Sequence, residues 1–188
     1  MEKLKQAILE KGIFIGNDIV KIDSFLNHQI DPELVEDIGS CFANYFKKHN
    51  ITKVVTIESS GIAPAFICAL RLHVPMVFIK KTNPSTMLNP LTASVHSFTK
   101  NKTYTICMDK DYISEHDRIL FIDDFLANGE AFRGFEEIVT QANATIAGVG
   151  IVVEKSFQRG HDYIVNKGYD MCCLASIVSL HDGKVEFK

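Results

Sequence analysis

The window Ile119-Leu-Phe-Ile-Asp-Asp-Phe-Leu-Ala-Asn-Gly-Glu-Ala131 sets two adjacent carboxylates, Asp123 and Asp124, directly after an apolar run. Ionised carboxylates only accept hydrogen bonds, so such a pair suits the vicinal hydroxyls of a sugar. A glycine turn that opens a helix presents free backbone N–H groups at the positive end of the helix dipole, which suits a phosphate. Acids beside an anion site are reconciled by one ligand, a phosphorylated sugar. Asp123 and Asp124 would take its hydroxyls, and Ala127, Asn128, Gly129, Glu130 and Ala131 would wrap its phosphate. A second window, Thr56-Ile-Glu-Ser-Ser-Gly-Ile-Ala-Pro64, repeats the plan of strand, small-residue turn and helix. There Ser59, Ser60 and Gly61 offer backbone and hydroxyl donors to a second phosphate group.

The elements that must position these turns follow from periodicity. Leu4, Ile8 and Lys11 predict a helix over residues 2–11, stopped at Gly12. Residues 13–22 read as two short strands around Gly16-Asn17-Asp18. Asp31 as N-cap, Pro32 in the first turn and Glu33 at the dipole end open a helix that runs to about residue 49. Strands are expected at 52–58, 75–80, 118–124, 144–154 and 170–180, with helices at 62–72 and 130–141. Continuously apolar strands alternating with helices predict an α/β fold, a parallel sheet flanked by helices with right-handed crossovers. Residues 91–98 and 103–108, joined by Thr99-Lys100-Asn101-Lys102, read as a β-hairpin inserted in that core, preceded by a mobile loop over 82–90. Asp182-Gly183 reads as a turn before a last short segment, 185–187.

Composition narrows the function classes. The 188 residues are 46% hydrophobic and carry 20 Lys+Arg against 23 Asp+Glu, a net charge of −3. One domain over 1–188 is expected. A general nucleic-acid binder would show a basic excess, so no nucleic acid is expected as partner. The most apolar stretch, 61–79, contains Pro64, Arg71, His73 and Pro75, so no membrane partner is expected either. The first residues are polar, and Cys41, Cys68, Cys107, Cys172 and Cys173 are odd in number without CxxC spacing. Reduced thiols in a cytoplasmic protein are expected. The histidines lack metal-ligand spacing, which predicts no protein-built metal site. Neither GxSxG nor GxxxxGK[ST] occurs.

The first window resembles the signature for 5-phosphoribosyl 1-pyrophosphate (PRPP) in type I phosphoribosyltransferases: apolar strand, two acids, then Thr-Gly-x-Thr. Asn128 and Ala131 stand where that pattern has threonines, which shifts binding onto backbone N–H groups and the Asn128 amide. The resemblance implies that Asp123 and Asp124 hold the ribose hydroxyls, that residues 127–131 hold the 5′-phosphate, and that Ser59, Ser60 and Gly61 form the pyrophosphate loop.

The words Val20-Lys-Ile-Asp-Ser-Phe-Leu-Asn-His-Gln-Ile-Asp31, Leu91-Thr-Ala-Ser-Val95 and Val153-Glu-Lys-Ser-Phe157, with the Phe-Leu-Ala-Asn-Gly turn, are similar to the bacterial xanthine-using branch of this family over nearly the whole chain. That resemblance implies a hood over the purine, formed within residues 1–30, with Val20 and Asn27 touching the base and Lys155 touching an exocyclic oxygen. It implies a pentosyltransferase that moves the phosphoribosyl group from PRPP to N9 of xanthine, with Mg²⁺ carried by PRPP, in a homodimer. Adenine would set its C6 amine against Lys155, donor to donor, and a hydrogen-bonding site rejects such an analogue strongly. Phe25 and Phe157 are candidates to stack on the purine. The loop 81–89 resembles the family's flexible catalytic loop, and Lys80 and Lys81 are candidates to meet pyrophosphate, in the same chain or across a dimer. The alternatives are hypoxanthine or guanine as the base, a nucleotide-binding module without catalysis, and a PRPP-sensing regulator. The net charge of −3 disfavours the regulator, as does a leading segment that carries the hood instead of a DNA-binding module.

Overall fold

The computed structural model describes the chain except for residues 17–18, 83–84, 86, 98–101 and 182–183. The turns expected at Asn17-Asp18, Thr99-Lys100-Asn101 and Asp182-Gly183, and part of the 82–90 loop, lie outside the described residues.

Helix α1 (Glu2–Lys11) buries Leu4 and Ile8 at its expected spacing. Strands β1 (Ile13–Ile15) and β2 (Ile19–Lys21) pair antiparallel, and a short π-helical turn (Asp23–Asn27) follows. That turn gives no periodic signal, and Phe25 within it is fully buried. Phe25 is therefore core and cannot stack on a purine. Helix α2 (Pro32–Phe46) starts as expected, with the Asp31 side chain accepting from the Leu34 N–H at 3.2 Å. It stops three residues before the expected end.

The remaining elements are β3 (Lys53–Ile57), α3 (Ile62–Leu72), β4 (Met76–Ile79), β5 (Pro90–Ser97), β6 (Lys102–Asp109), β7 (Arg118–Leu126), α4 (Glu130–Gln141), β8 (Thr145–Lys155), α5 (Gly160–Asn166), β9 (Met171–His181) and β10 (Lys184–Phe187). Six strands form the main sheet in the order β10-β9-β8-β7-β3-β4. All its pairings are parallel except the edge strand β10 against β9. The α/β fold with a parallel sheet between helices is thus as expected.

Each sheet face carries its own apolar cluster. One gathers Phe42 and Phe46 of α2, Cys68 of α3, Leu120 and Ile122 of β7, and Val20, Phe25 and Leu26 of the N-terminal lobe. The other gathers Phe121 of β7, Phe132 and Phe135 of α4, Ile164 of α5 and Val95 and Ile106 of the β5–β6 pair. The Phe121 and Phe135 rings stack with centroids 4.3 Å apart. Burying one such ring is worth about 1.5–3 kcal/mol. The β5–β6 hairpin is a separate two-stranded sheet, antiparallel and in register from Pro90↔Asp109 to Ser97↔Lys102. It lies on α4, where Gln141 Nε2 donates to Thr92 O at 2.8 Å.

The β7–β8 register shifts once. Ile119 pairs with Ile146 but Leu120 pairs with Gly148, so Ala147 is one extra residue on β8. From there the pairing holds to Leu126↔Glu154.

Candidate active site

The chain leaves β3 toward β4 on one side and β7 toward β8 on the other, so the C-terminal ends of adjacent strands β3 and β7 flank a topological switch point. Open α/β sheets place ligands in that crevice. Two adjoining cavities occupy it. One, of about 420 Å³, is lined by Asp123, Phe125, Lys155, Gln158 and the turn from Ala127 to Ala131. The other, of about 300 Å³, is lined by Glu58, Ser59, Ser60, Lys81, Asp123 and Asp124. Tyr104 of the hairpin, Asp123, Phe125 and Ala131 belong to both walls.

The two acids differ in setting. Asp123 is buried, and its Oδ1 accepts the Asp124 backbone N–H at 3.1 Å. Burial pushes the Asp123 carboxyl well above the usual range, and the charge of Asp124 adds to this. Burial also raises Asp124. Lys81 opposes the rise at both. Carboxylates whose charged form is disfavoured by burial gain most from ligand hydroxyls or a cation that stabilise that charge.

The turn after β7 depends on glycine. Gly129 caps α4 with φ 86° and ψ 11°, left-handed backbone that other residues resist. Behind it stands Gly160, whose N–H donates to Ala127 O at 3.0 Å. A Cβ on Gly129 would lie 3.1 Å from Gly160 Cα, so the two glycines meet with no room for side chains. The start of α5 is fixed in turn by Glu154, 2% exposed, whose Oε2 lies 2.8 Å from His161 Nδ1. Gly61 is equally tight, since a Cβ there would meet Thr56 Oγ1 and approach Asp123 Oδ1.

The two lysines after β4 part company, as successive residues of an extended chain do. Lys80 sits over the Phe78 ring and lines a different hollow with Met76 and Tyr112. Lys81 enters the cavity of Ser59 and Ser60 in its own chain, with its Nζ 6.0 Å from the Tyr104 ring centroid. Lys155 Nζ lies 5.9 Å from the Phe125 ring centroid, and Phe125 packs against the cluster that contains Val20 and Leu26. The N-terminal lobe and Lys155 therefore share one face of the sheet. Val20 and Asn27 line neither cavity; Val20 is buried, and Asn27 Oδ1 is buried without a hydrogen-bond partner.

Residues 27–182 match the phosphoribosyl transferase domain family. The chain belongs to that family. Among phosphoribosyltransferases it is similar to "Xanthine phosphoribosyltransferase 1" of Clostridium botulinum, 52% identical over 100% of this chain and 99% of that one. It is 50% identical to "Xanthine phosphoribosyltransferase" of Bacillus licheniformis, over 100% and 97% of the two chains. Its fold is shared with the adenine phosphoribosyltransferase of Thermoanaerobacter pseudethanolicus at TM-score 0.77 and 20% identity, covering 93% of this chain and 98% of that one. The adenine enzyme of Giardia lamblia, in complex with 9-deazaadenine, matches at TM-score 0.77 and 21% identity, over 92% and 97%. The phosphoribosyltransferase core thus serves different bases, and the base must be argued from side chains.

Within this phosphoribosyltransferase fold the structure brings together Asp123, Asp124, Ala127, Asn128, Gly129, Glu130, Ala131, Ser59, Ser60 and Lys155 around two joined cavities, with Gly61 packed directly behind Asp123. Sequence reasoning passed over Gly160, Glu154 and Gln158. The only available signal was the glycine of Arg159-Gly160-His161 after a polar stretch, and nothing local says that it meets Gly129. Phe157 is 45% exposed and is absent from both cavity walls.

Proposed function

We propose that this chain transfers the 5-phosphoribosyl group of PRPP to N9 of xanthine, giving xanthosine 5′-monophosphate and pyrophosphate. The observation that carries the reading is the pair of adjoining cavities at the switch point, one with a phosphate turn and one with a small-residue donor turn, joined by Asp123. A substrate with phosphate at both ends of a ribose fits that layout. The xanthine phosphoribosyltransferases that match at half identity over the whole chain support the choice of base.

In the reaction the bond from ribose C1 to the pyrophosphate oxygen breaks, the bond from C1 to N9 forms, and the purine releases the N9 proton to solvent. The transition state carries positive charge on the ribose ring, so positioning and charge compensation dominate. Asp123 and Asp124 accept from the ribose hydroxyls, and their negative charge favours the developing cation. Backbone N–H groups from Ala127 to Ala131, with the Asn128 amide, hold the 5′-phosphate. Ser59, Ser60, Gly61 and Lys81 hold the departing pyrophosphate. Lys155 donates to an exocyclic oxygen of the base, Asn27 supplies an acceptor to a ring N–H, and Val20 packs on the hood side. The hairpin, through Tyr104, covers the junction of the cavities and keeps water from the reacting carbon.

Among the described residues no group of three or more His, Cys, Asp or Glu could hold a metal. Two adjacent carboxylates whose pKa is raised by burial, plus substrate oxygens, suit Mg²⁺, which binds through one or two carboxylates and phosphates. Asp123 and Asp124 would hold it by way of PRPP, and when bound it neutralises charge on the leaving group. Activity as a homodimer in which each chain is a single domain completes the proposal. Among the described residues no helix is long and apolar enough to cross a membrane.

The test is pyrophosphate release from PRPP and Mg²⁺ with each purine in turn. Xanthine is expected to give the highest kcat/KM, and Lys155→Met to raise the KM for xanthine at least tenfold, the order expected for one hydrogen bond to a charged group. Turnover of adenine ahead of xanthine would overturn the assignment.

A further inference from the structure

Strands β3 and β4 pair in parallel from Val54↔Met76 to Ile57↔Ile79, and the ladder continues with the Glu58 N–H donating to Ile79 O at 3.0 Å. In a parallel ladder the next bond runs from the Lys81 N–H to the backbone carbonyl of Glu58. The bond found there is different: the Lys81 N–H donates to Oε1 of the Glu58 side chain at 2.6 Å. A carboxylate acceptor makes this bond shorter and stronger than the amide pairing that it replaces.

We infer that Glu58 is a positioning residue for the pyrophosphate site, its carboxylate filling the rung that its own backbone would have occupied and so fixing Lys81 in the cavity wall. The inference rests on the reading of that cavity given above. The substitution does two things at once. It releases the main chain after Glu58 from the sheet, so that Ser59, Ser60 and Gly61 turn toward the ligand while remaining beside Asp123. It also keeps Lys81 in register with β3, although the ladder has ended there.

The other flank of Lys81 is held independently. Lys80 and Cys107 exchange both backbone hydrogen bonds at 2.9 Å, and the Cys107 thiol donates to Thr82 O at 3.3 Å. Lys81 is thus braced from the hairpin by Cys107 and from the sheet by Glu58, and it shares one cavity wall with Asp123 and Asp124. Without Glu58 the brace that remains among the described residues comes from the hairpin, which belongs to a separate sheet from β3.

A double-mutant cycle tests this. Glu58→Ala is expected to raise the KM for PRPP and the dissociation constant of Mg²⁺-pyrophosphate about tenfold, the order of one lost charge-assisted hydrogen bond, and to leave the KM for xanthine within about twofold. Glu58→Gln keeps an oxygen at the same reach and should restore most of the affinity. Lys81→Ala should weaken pyrophosphate directly, and Glu58→Ala added to it should cost little more, because residues acting through one contact are not additive. If Glu58→Ala does not fold, Glu58→Asp, one methylene short of the Lys81 N–H, carries the same expectation. Unchanged pyrophosphate and PRPP constants in Glu58→Ala, or full additivity with Lys81→Ala, would overturn the role. Calorimetry with Mg²⁺-pyrophosphate needs no purine. Wild-type protein that binds it but rejects xanthine therefore counts against the base alone, not against Glu58.

Discussion

Gly160 lies outside both signature turns, yet the geometry makes it a determinant of the shape of the turn from Ala127 to Ala131, to which phosphate binding is assigned in the proposed function. In Gly160→Ala the new Cβ falls 2.5 Å from Ala127 O, 2.7 Å from Leu126 Cδ1 and 3.0 Å from Gly129 N. Ordinary contact begins at about 3.4 Å, so the Ala127 carbonyl must retreat by about 0.9 Å or α5 must rise by as much. The second route is opposed by the buried Glu154–His161 contact. The turn therefore moves, and a misplacement of about 1 Å at a binding group costs on the order of 10²-fold in rate. Overpacking also costs about 1–3 kcal/mol of stability. Gly168→Ala separates the two effects. Gly168 has φ +80° with nothing within 4 Å of a built Cβ, so alanine there strains the backbone by about 1–2 kcal/mol and touches no neighbour. Initial rates of pyrophosphate release at varied PRPP, with thermal melting of both variants, give the comparison. Gly160→Ala should lose about 30- to 100-fold in kcat/KM for PRPP, and Gly168→Ala should stay near wild type. A Gly160→Ala enzyme within threefold of Gly168→Ala would refute the claim that α5 holds the turn from Ala127 to Ala131 from behind for binding PRPP.

Asp123→Asn should abolish most turnover and yet raise the melting temperature of the ligand-free protein. The folded-state carboxyl is raised by burial, so its stability contribution is complete below the ordinary carboxylate pKa of about 3.9 and is lost as pH rises. Each pH unit of that rise corresponds to about 1.4 kcal/mol, or about 2–4 °C in a chain of this size, and the gap between variant and wild type should close on acidification. Asp117 behaves in the opposite sense. Burial would raise it, but bonds from Lys53 at 2.7 Å, from the Ser114 N–H and from Thr52 outweigh burial and hold it low. Lys53→Met should lower the melting temperature by about 4–8 °C at pH 7, from about 2 kcal/mol, with the loss shrinking as pH falls below about 4. The Cys68 and Cys173 thiols, both pushed up to about 12 by burial, should resist a thiol reagent at pH 8 until denaturant is added.

The parallel core was legible because its strands are continuous apolar runs, and the two strand-to-helix turns after β3 and β7 were legible because glycine and small residues interrupt those runs at strand ends. Asp31 and Pro32 announced α2 by capping chemistry alone. The π-helical turn at Asp23–Asn27 was not legible. Its backbone bonds reach back to Ile22 and Asp23, and no side-chain period encodes them. Helix α5 was missed because seven residues bury only Gly160 and Ile164, too few to set a stripe. The hairpin was legible as two strands, but its separation from the main sheet depends on Val95 and Ile106 packing over α4, a long-range contact. Lys80 and Lys81 were indistinguishable by type and parted only through strand alternation. The Glu58 contact was hidden for a related reason, because it replaces a backbone bond that any residue would make.

The extra residue at Ala147 has a consequence for how this chain can change length. Downstream of it, Glu154 lies opposite Leu126 and Lys155 follows on the next face of the pleat. Removing that one alanine would leave Ile119 opposite Ile146 and Leu120 opposite Gly148 as consecutive pairs, so the ladder from there to Leu126 and Glu154 would keep its register. Losing any one residue between Gly148 and Glu154 would instead bring Lys155 opposite Leu126 and turn its side chain to the other face of the sheet. The strand can therefore shorten by one residue at Ala147 without moving Glu154 or Lys155, and a single deletion beyond that point moves both.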